Sequence, residues 1–115
     1  MPPRAARVLL GPYAAESLGR LKSDQSPRSH SVVRRIDGLG AILLEDALHG
    51  EVVPKSKIPQ VLIRRHGIDN LYVEDLPDFW RLLYTLTRLD GERLVVIIEL
   101  VDHKTYSRWF PGRGR

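Results

Sequence analysis

Residues 79–110, FWRLLYTLTRLDGERLVVIIELVDHKTYSRWF, constrain the fold of this chain more than any other stretch. Two apolar runs meet at the turn pair Asp90-Gly91, and each alternates its side chains across a sheet. In the first run Trp80, Leu82, Tyr84 and Leu86 share one face, and Phe79, Arg81, Leu83 and Thr85 share the other. In the second, Leu94, Val96, Ile98 and Leu100 make the more apolar face, opposite Val95, Ile97, Glu99 and Val101. If both even-numbered sets face one core, opposed residue numbers sum to an even number. That favours a three- or five-residue loop over a two-residue one. The same parity puts Arg81 and Glu99 on one outward face, within reach as cross-strand neighbours. It continues to His103 if the strand stays regular past Asp102.

Upstream, RVLL at 7–10 reads as a short strand, and Gly11-Pro12 as a break and a helix start. Ala14, Leu18 and Leu21 recur at helical spacing, so a first helix ends near Lys22. After the turn-rich SDQSPRSH, a second helix is expected from about Pro27 to Leu48. Val32, Val33, Ile36, Leu39, Leu43, Leu44 and Leu48 follow its 3.6 period, Gly38 and Gly40 weaken it, and Gly50 stops it. Pro54 and Pro59 forbid a regular element through the middle. VLIRRH reads as a helical turn opened by Pro59 and stopped by Gly67, with a strand as the alternative; LYVED at 71–75 reads as a strand. The expected architecture is α+β in a single domain over 1–115. An N-terminal strand and a two-helix hairpin pack on one face of a small, mainly antiparallel sheet. The other face, uncovered, carries Arg81, and residues 1–6 and 111–115 are expected to fray.

Of the 115 residues 43% are hydrophobic, enough for one modest core. No run of apolar residues is long enough to span a membrane, and MPPRAARVLL is too short in its apolar part for a secretory signal. A cytoplasmic protein is the expectation. Cysteine is absent, which excludes disulfides and thiolate metal sites. Eighteen Lys and Arg against fourteen Asp and Glu give +4. That charge favours a polyanion through counterion release, and an acidic protein partner equally well. No phosphate-binding glycine loop, nucleophile elbow or spaced metal-ligand set occurs. His30, His49, His66 and His103 are too scattered for a zinc site. No cofactor and no metal are expected.

The order of elements, the basic charge and an arginine in a W-R-L-L-Y strand resemble the RelE/ParE superfamily of toxins from type II toxin–antitoxin systems. RVLLGPYAAESLGRLK is similar to that family's opening strand and small-residue-rich helix. FWRLLYTL resembles its Y-R-L-x-Y strand, and LVVIIELVDHKTYSRWF its final strand with a His- or Arg- and Tyr-containing end. The resemblance runs along nearly the whole chain, and the last third is its specific part. It implies a RelE-like mRNA interferase: a metal-independent endoribonuclease that cuts mRNA at the ribosome and is silenced by a cognate antitoxin. Some members poison gyrase instead, and others have lost toxicity. A non-catalytic or detoxified binding protein of the same fold is therefore the alternative. Charge alone suggests a third option, a small basic component of a ribonucleoprotein.

By the same resemblance Arg81 holds the scissile phosphate, His103 falls near the tail histidine or arginine, and Tyr106 near the tail tyrosine. Glu74 is the nearest candidate for the strand glutamate that one subfamily uses as general base. The lysine-rich members carry two alternating lysines where this chain has Tyr72 and Glu74. Lys55 and Lys57 share the spacing but lie upstream, between two prolines.

The chemistry fits these residue types. Cleaving RNA without metal needs a base for the 2′-OH proton, a cation for the phosphorane charge and an acid for the leaving 5′-oxygen. Arginine stays charged and grips phosphate bidentately, and histidine is the side chain that commonly changes charge near neutral pH. Glu74 or Glu99 is a candidate base, and Lys104 and Arg108 add positive charge. Tyr106 and Trp109 are candidates to stack on unpaired bases. Lys55, Lys57, Arg64 and Arg65 are candidate RNA contacts. Plainer readings stand beside these. Arg81 pairs with Glu99, His103 caps the strand end beside Asp102, and Tyr106, Trp109 and Phe110 pin the tail to the core. Arg64, Arg65 and His66 form a solvated basic patch, and Lys55 and Lys57 lie in a solvated loop.

Overall fold

The computed structural model describes residues 1–112. Strand β1 (Arg7–Leu10) leads into helices α1 (Pro12–Ser23) and α2 (Pro27–Glu45). Strand β2 (Glu51–Val52), helix α3 (Gln60–His66) and strand β3 (Tyr72–Asp75) follow. The chain then forms strands β4 (Arg81–Leu89) and β5 (Glu92–Val101) and closes on helix α4 (His103–Trp109). The sheet runs β1-β5-β4-β3-β2, parallel only between β1 and β5. The α+β architecture, the opening strand and the helical hairpin follow the sequence expectation. Among the described residues no helix is long and apolar enough to cross a membrane.

Each helix starts for a local reason. Pro12 sits in the first turn of α1, where its missing N–H costs nothing. Gly11 precedes it because the backbone donates to the Ile97 carbonyl at 2.8 Å, and a Cβ would stand 3.2 Å from that oxygen. Ser26 caps α2, accepting from the Ser29 amide at 3.2 Å. Ala14 and Leu21 of α1 and Val32, Ile36, Leu39 and Leu43 of α2 form the buried stripe that covers one face of the sheet. Gly38 and Gly40 leave α2 continuous, because burial of that stripe outweighs roughly 1 kcal/mol of propensity at each glycine. The helix stops at Glu45 rather than Leu48, with Asp46 as its C-cap. Gly50 is a close-approach residue rather than a helix stop. A Cβ there would sit 2.9 Å from the Tyr84 ring, and its amide donates to the Tyr84 hydroxyl at 2.9 Å. That hydroxyl donates in turn to the Ala47 carbonyl at 2.9 Å, and burial raises the phenol's pKa well above its ordinary value.

The β4–β5 hairpin departs from the expected parity from Tyr84 to the turn, which has two residues rather than the expected three or five. Leu89 opposes Glu92 across the two-residue turn Asp90-Gly91, whose φ angles of 51° and 79° are left-handed at both positions, the signature of a tight hairpin turn. The register shifts between Leu83 and Tyr84: Tyr84 opposes Ile97 while Leu83 opposes Glu99. Ile98 is thus the extra residue of a β-bulge. The helix face carries Leu82 and Tyr84 with Val95, Ile97 and Leu100. Val96 and Ile98, expected there, pack on the opposite face.

That opposite face is covered. Val53, Ile58, Leu62, Leu71, Val73, Leu83, Ile98, Val101, Tyr106 and Phe110 form a second apolar cluster beneath α3 and α4. α3 opens after Pro59 and ends at Gly67, whose φ of 64° gives the left-handed C-cap. The tail does not continue as strand: Asp102 accepts from the Thr105 amide at 2.9 Å and starts α4. The first residues are also tied down. Ala5 is buried, the Ala5 amide donates to Leu44 O at 2.9 Å and the Ala6 amide to Arg93 O at 2.8 Å. At the other end Pro111 and Gly112 are exposed, and the expectation for 113–115 lies outside the described residues.

The Thr105 amide holds the Asp102 carboxyl below its ordinary value. A depressed folded pKa contributes stability that is complete above the unfolded value near 3.8 and is lost as pH falls through the folded value. Asp102→Ala is expected to lower stability by about 1 kcal/mol at neutral pH, with Asn largely retaining it. In urea unfolding the wild type's advantage over the alanine variant should shrink below about pH 4.

Candidate functional site

The β3–β4 connection brings the site together. Residues 76–80 close a tight hairpin in which the Leu76 amide donates to Trp80 O at 2.9 Å. Asp75 therefore opposes Arg81. The Arg81 Nε donates to Asp75 Oδ1 at 3.0 Å, and its Nη1 to the Trp80 carbonyl at 3.2 Å. Its guanidinium carbon lies 4.7 Å from the centre of the Tyr106 ring, a cation–π distance. Tyr106 stacks in turn on Phe110, with centroids 4.7 Å apart. Arg81 and Tyr106 are part of the wall of a cavity of about 610 Å³, together with Glu51, Asp75, Leu76, Asp78 and Phe79.

The pairing has an asymmetry with chemical consequences. The Arg81 side chain is 8% exposed and that of Asp75 86%. A solvated carboxylate contributes no more than about 1 kcal/mol to such a pair. Asp78 has its own cation, Arg28, at 3.9 Å. Asp78 and Phe79 hold φ angles of 59° and 60°, left-handed values that cost residues other than glycine on the order of 1 kcal/mol each. Phe79 meets the His103 ring with centroids 5.5 Å apart, which sets the histidine of α4 at the rim of this group.

Arg81, Tyr106 and His103 are thus brought to one end of the sheet, His103 on the first turn of α4 rather than on a continued strand. Lys104 and Arg108 are exposed on α4. Other candidates lie elsewhere. Glu74 faces the helical layer, buried, with its Oε2 2.7 Å from His49 Nδ1. It is on the face opposite Arg81, so it does not serve as base beside it. Glu99 shares Arg81's face but does not pair with it. It is 4% exposed and takes Arg65 Nη1 at 2.8 Å and His66 Nε2 at 2.7 Å on one oxygen. Arg65 is therefore an ion-pair partner within the fold, stacked 4.3 Å from the Tyr13 ring centre and 5.8 Å from that of Trp109. His66, edge-on to Tyr13 at 5.4 Å, belongs to the same network rather than to a solvated patch. Arg64 is exposed. Lys55 and Lys57 are exposed in a single 3-10 turn, and neither is among the residues lining the cavity. Among the described residues no three His, Asp or Glu side chains converge to hold a metal ion.

Sequence reasoning missed Asp75, Asp78 and Phe79. Asp75 was signalled by the short D-L-P-D-F-W-R connection, which forces residues 75 and 81 opposite one another once both flanks are strands. The pairing of His49 with Glu74 had no comparable signal, because it depends on where the chain turns after α2.

The Glu99 carboxylate predicts a sharp contrast. Glu99→Gln removes the buried charge that Arg65 and His66 share and is expected to cost about 2 kcal/mol. Arg64→Ala, an exposed change on the same helix, should stay within about 0.5 kcal/mol. Paired denaturant titrations would measure both; equal effects would refute the role given to Glu99. Comparison with known protein families, curated proteins and solved structures found no match, so the function of this site has to be argued from its own residues.

Proposed function

We propose that the chain is a RelE/ParE-like toxin that cleaves mRNA at the ribosome in the cytoplasm and is held inactive by a cognate antitoxin. The observation that carries this reading is Arg81, seated on the Tyr106 ring in a cavity wall with His103 at its rim. The guanidinium would bind the scissile phosphate in place of the exposed Asp75 carboxylate. In the reaction the 2′-oxygen attacks phosphorus as its proton passes to a base, and the bond to the 5′-oxygen breaks as that oxygen takes a proton. The products are a 2′,3′-cyclic phosphate and a 5′-hydroxyl. Arg81 stabilises the charge that develops on the phosphorane oxygens, and His103 is the group at this end suited to move a proton. Glu74, on the far face, has no part in it.

A second reading is favoured by a specific observation. Among the described residues the cavity wall holds the carboxylates of Glu51, Asp75 and Asp78 beside the Arg81 guanidinium, a poor field for a phosphodiester. On this reading the protein keeps the fold and binds a protein partner without catalysis, as a detoxified module or a gyrase inhibitor.

Induced expression with mapping of mRNA 5′ ends separates the two. For the toxin reading, the wild type arrests growth and produces new in-frame cuts. Arg81→Ala and Arg81→Lys, both folded, should reduce cutting by a factor of about 100 or more, while Glu74→Gln retains it. Arrest without cuts indicates a gyrase-type target, and normal growth with intact mRNA indicates the binding module.

A further inference from the structure

Phe79 is 64% exposed at the cavity wall that it shares with Arg81 and Tyr106. Bulky side chains rarely occupy left-handed backbone, yet Asp78 and Phe79 both do so, at φ of 59° and 60°. Hydrogen bonds from the Leu76 amide to Trp80 O at 2.9 Å and from the Trp80 amide to Pro77 O at 3.3 Å hold the turn. Arg28 approaches Asp78 from α2 at 3.9 Å. The fold therefore fixes a large apolar ring in water, beside polar groups, at a backbone cost. The other two rings expected to stack on bases are engaged. Tyr106 is 4% exposed between Arg81 and Phe110, and Trp109 lies 5.8 Å from the Arg65 guanidinium.

We propose that Phe79 is the platform of a nucleobase subsite, on which an unpaired base of single-stranded RNA stacks with its polar edge in the cavity. This rests on the RNA-directed reading of this end of the sheet. Stacking on an aromatic ring is available to any base and needs an exposed ring held in place. The Asp75 and Asp78 carboxylates of the same wall, each beside one arginine, keep acceptor sites beyond that pairing. A base brings amino and ring N–H donors to them, whereas a phosphate brings none. About 610 Å³ is ample for a base and falls in the usual range of small-ligand sites. The negative wall is thus suited to the base edge. The scissile phosphate stays on Arg81, and the strand's other phosphates run outside the wall, past His103 against Phe79 and the exposed Lys104 and Arg108 of α4.

The test is fluorescence anisotropy at low salt with the full chain and two probes. One is a labelled six-nucleotide 2′-O-methyl RNA, and the other an abasic strand of the same length and charge. The wild type should prefer the base-bearing strand. Phe79→Ala should weaken binding of that strand about tenfold and leave the abasic strand unaffected, and Phe79→Trp should retain the preference. Equal wild-type affinity for both strands would overturn the subsite and point to phosphate contacts alone or a protein partner at Phe79. So would binding to neither, or a preference that survives in Phe79→Ala. The in-cell cuts of the wild type judge the toxin reading separately: cuts without base preference remove only the subsite, and base preference without cuts removes only the nuclease.

Discussion

One extra residue, Ile98, decides how this sheet is used. The Asp90-Gly91 turn imposes one register on the hairpin, and the apolar pattern near Arg81 and Leu100 requires another; the bulge reconciles them. Without it, either Ile97 and Val95 would leave the helical layer or Leu100 would. With it, both faces of the central strands become apolar over most of their length, and both must be covered. The loop from Val53 to Ile68 and the C-terminal helix are therefore required parts of the core. Bulges also bend a strand and re-aim its side chains, and here the residue after the bulge is Glu99, directed to Arg65 and His66 of α3.

Much of the fold was legible because periodicity reports burial. The 3.6-residue stripe of α2 and the Pro59–Gly67 bracket around α3 each carry their own signal. So do the strands at 7–10, 72–75 and 81–101. The errors share a physical origin. Alternation within one strand says which residues share a face but is blind to a bulge, so the even-number parity held from Arg81 to Leu83 and failed from Tyr84 onward. Asp102 looked like part of a strand because its neighbours are β-formers. Its capping bond to the Thr105 amide, three residues on, was the overriding signal for a helix. As for the site, Arg81, His103 and Tyr106 were legible as a group. Glu74 was misplaced, because alternation puts it on the face of Leu82, away from Arg81.

Arg81 combines burial with a partner carboxylate that is mostly in water. A guanidinium with 8% of its side chain exposed must keep its donors satisfied or lose more than a hydrogen bond contributes. The Trp80 carbonyl and the Tyr106 ring belong to the fold and stay with it. The Asp75 carboxylate is mostly in water, whereas that of Glu99 is buried. An arginine paired with a buried carboxylate would be committed to structure, as Arg65 is to Glu99. The two arginines thus differ in their partner carboxylates, whose side chains are 86% exposed at Asp75 and 5% at Glu99.

The geometry at Arg81 depends in turn on the tail. Tyr106 occupies its place because α4 begins where Asp102 caps it and because Phe110 packs into the second cluster one turn later. Trp109 lies on the same helix near the Arg65 guanidinium, which is bonded to Glu99. A disturbance of α4 therefore reaches the cavity through Tyr106 and the sheet face through Arg65. The His103 ring rides on the first turn of the same helix, against a Phe79 fixed by the β3–β4 turn. Two short elements, neither stable alone, set the distances among Arg81, Tyr106 and His103, and they do so only while docked on the strands that the Ile98 bulge aligns.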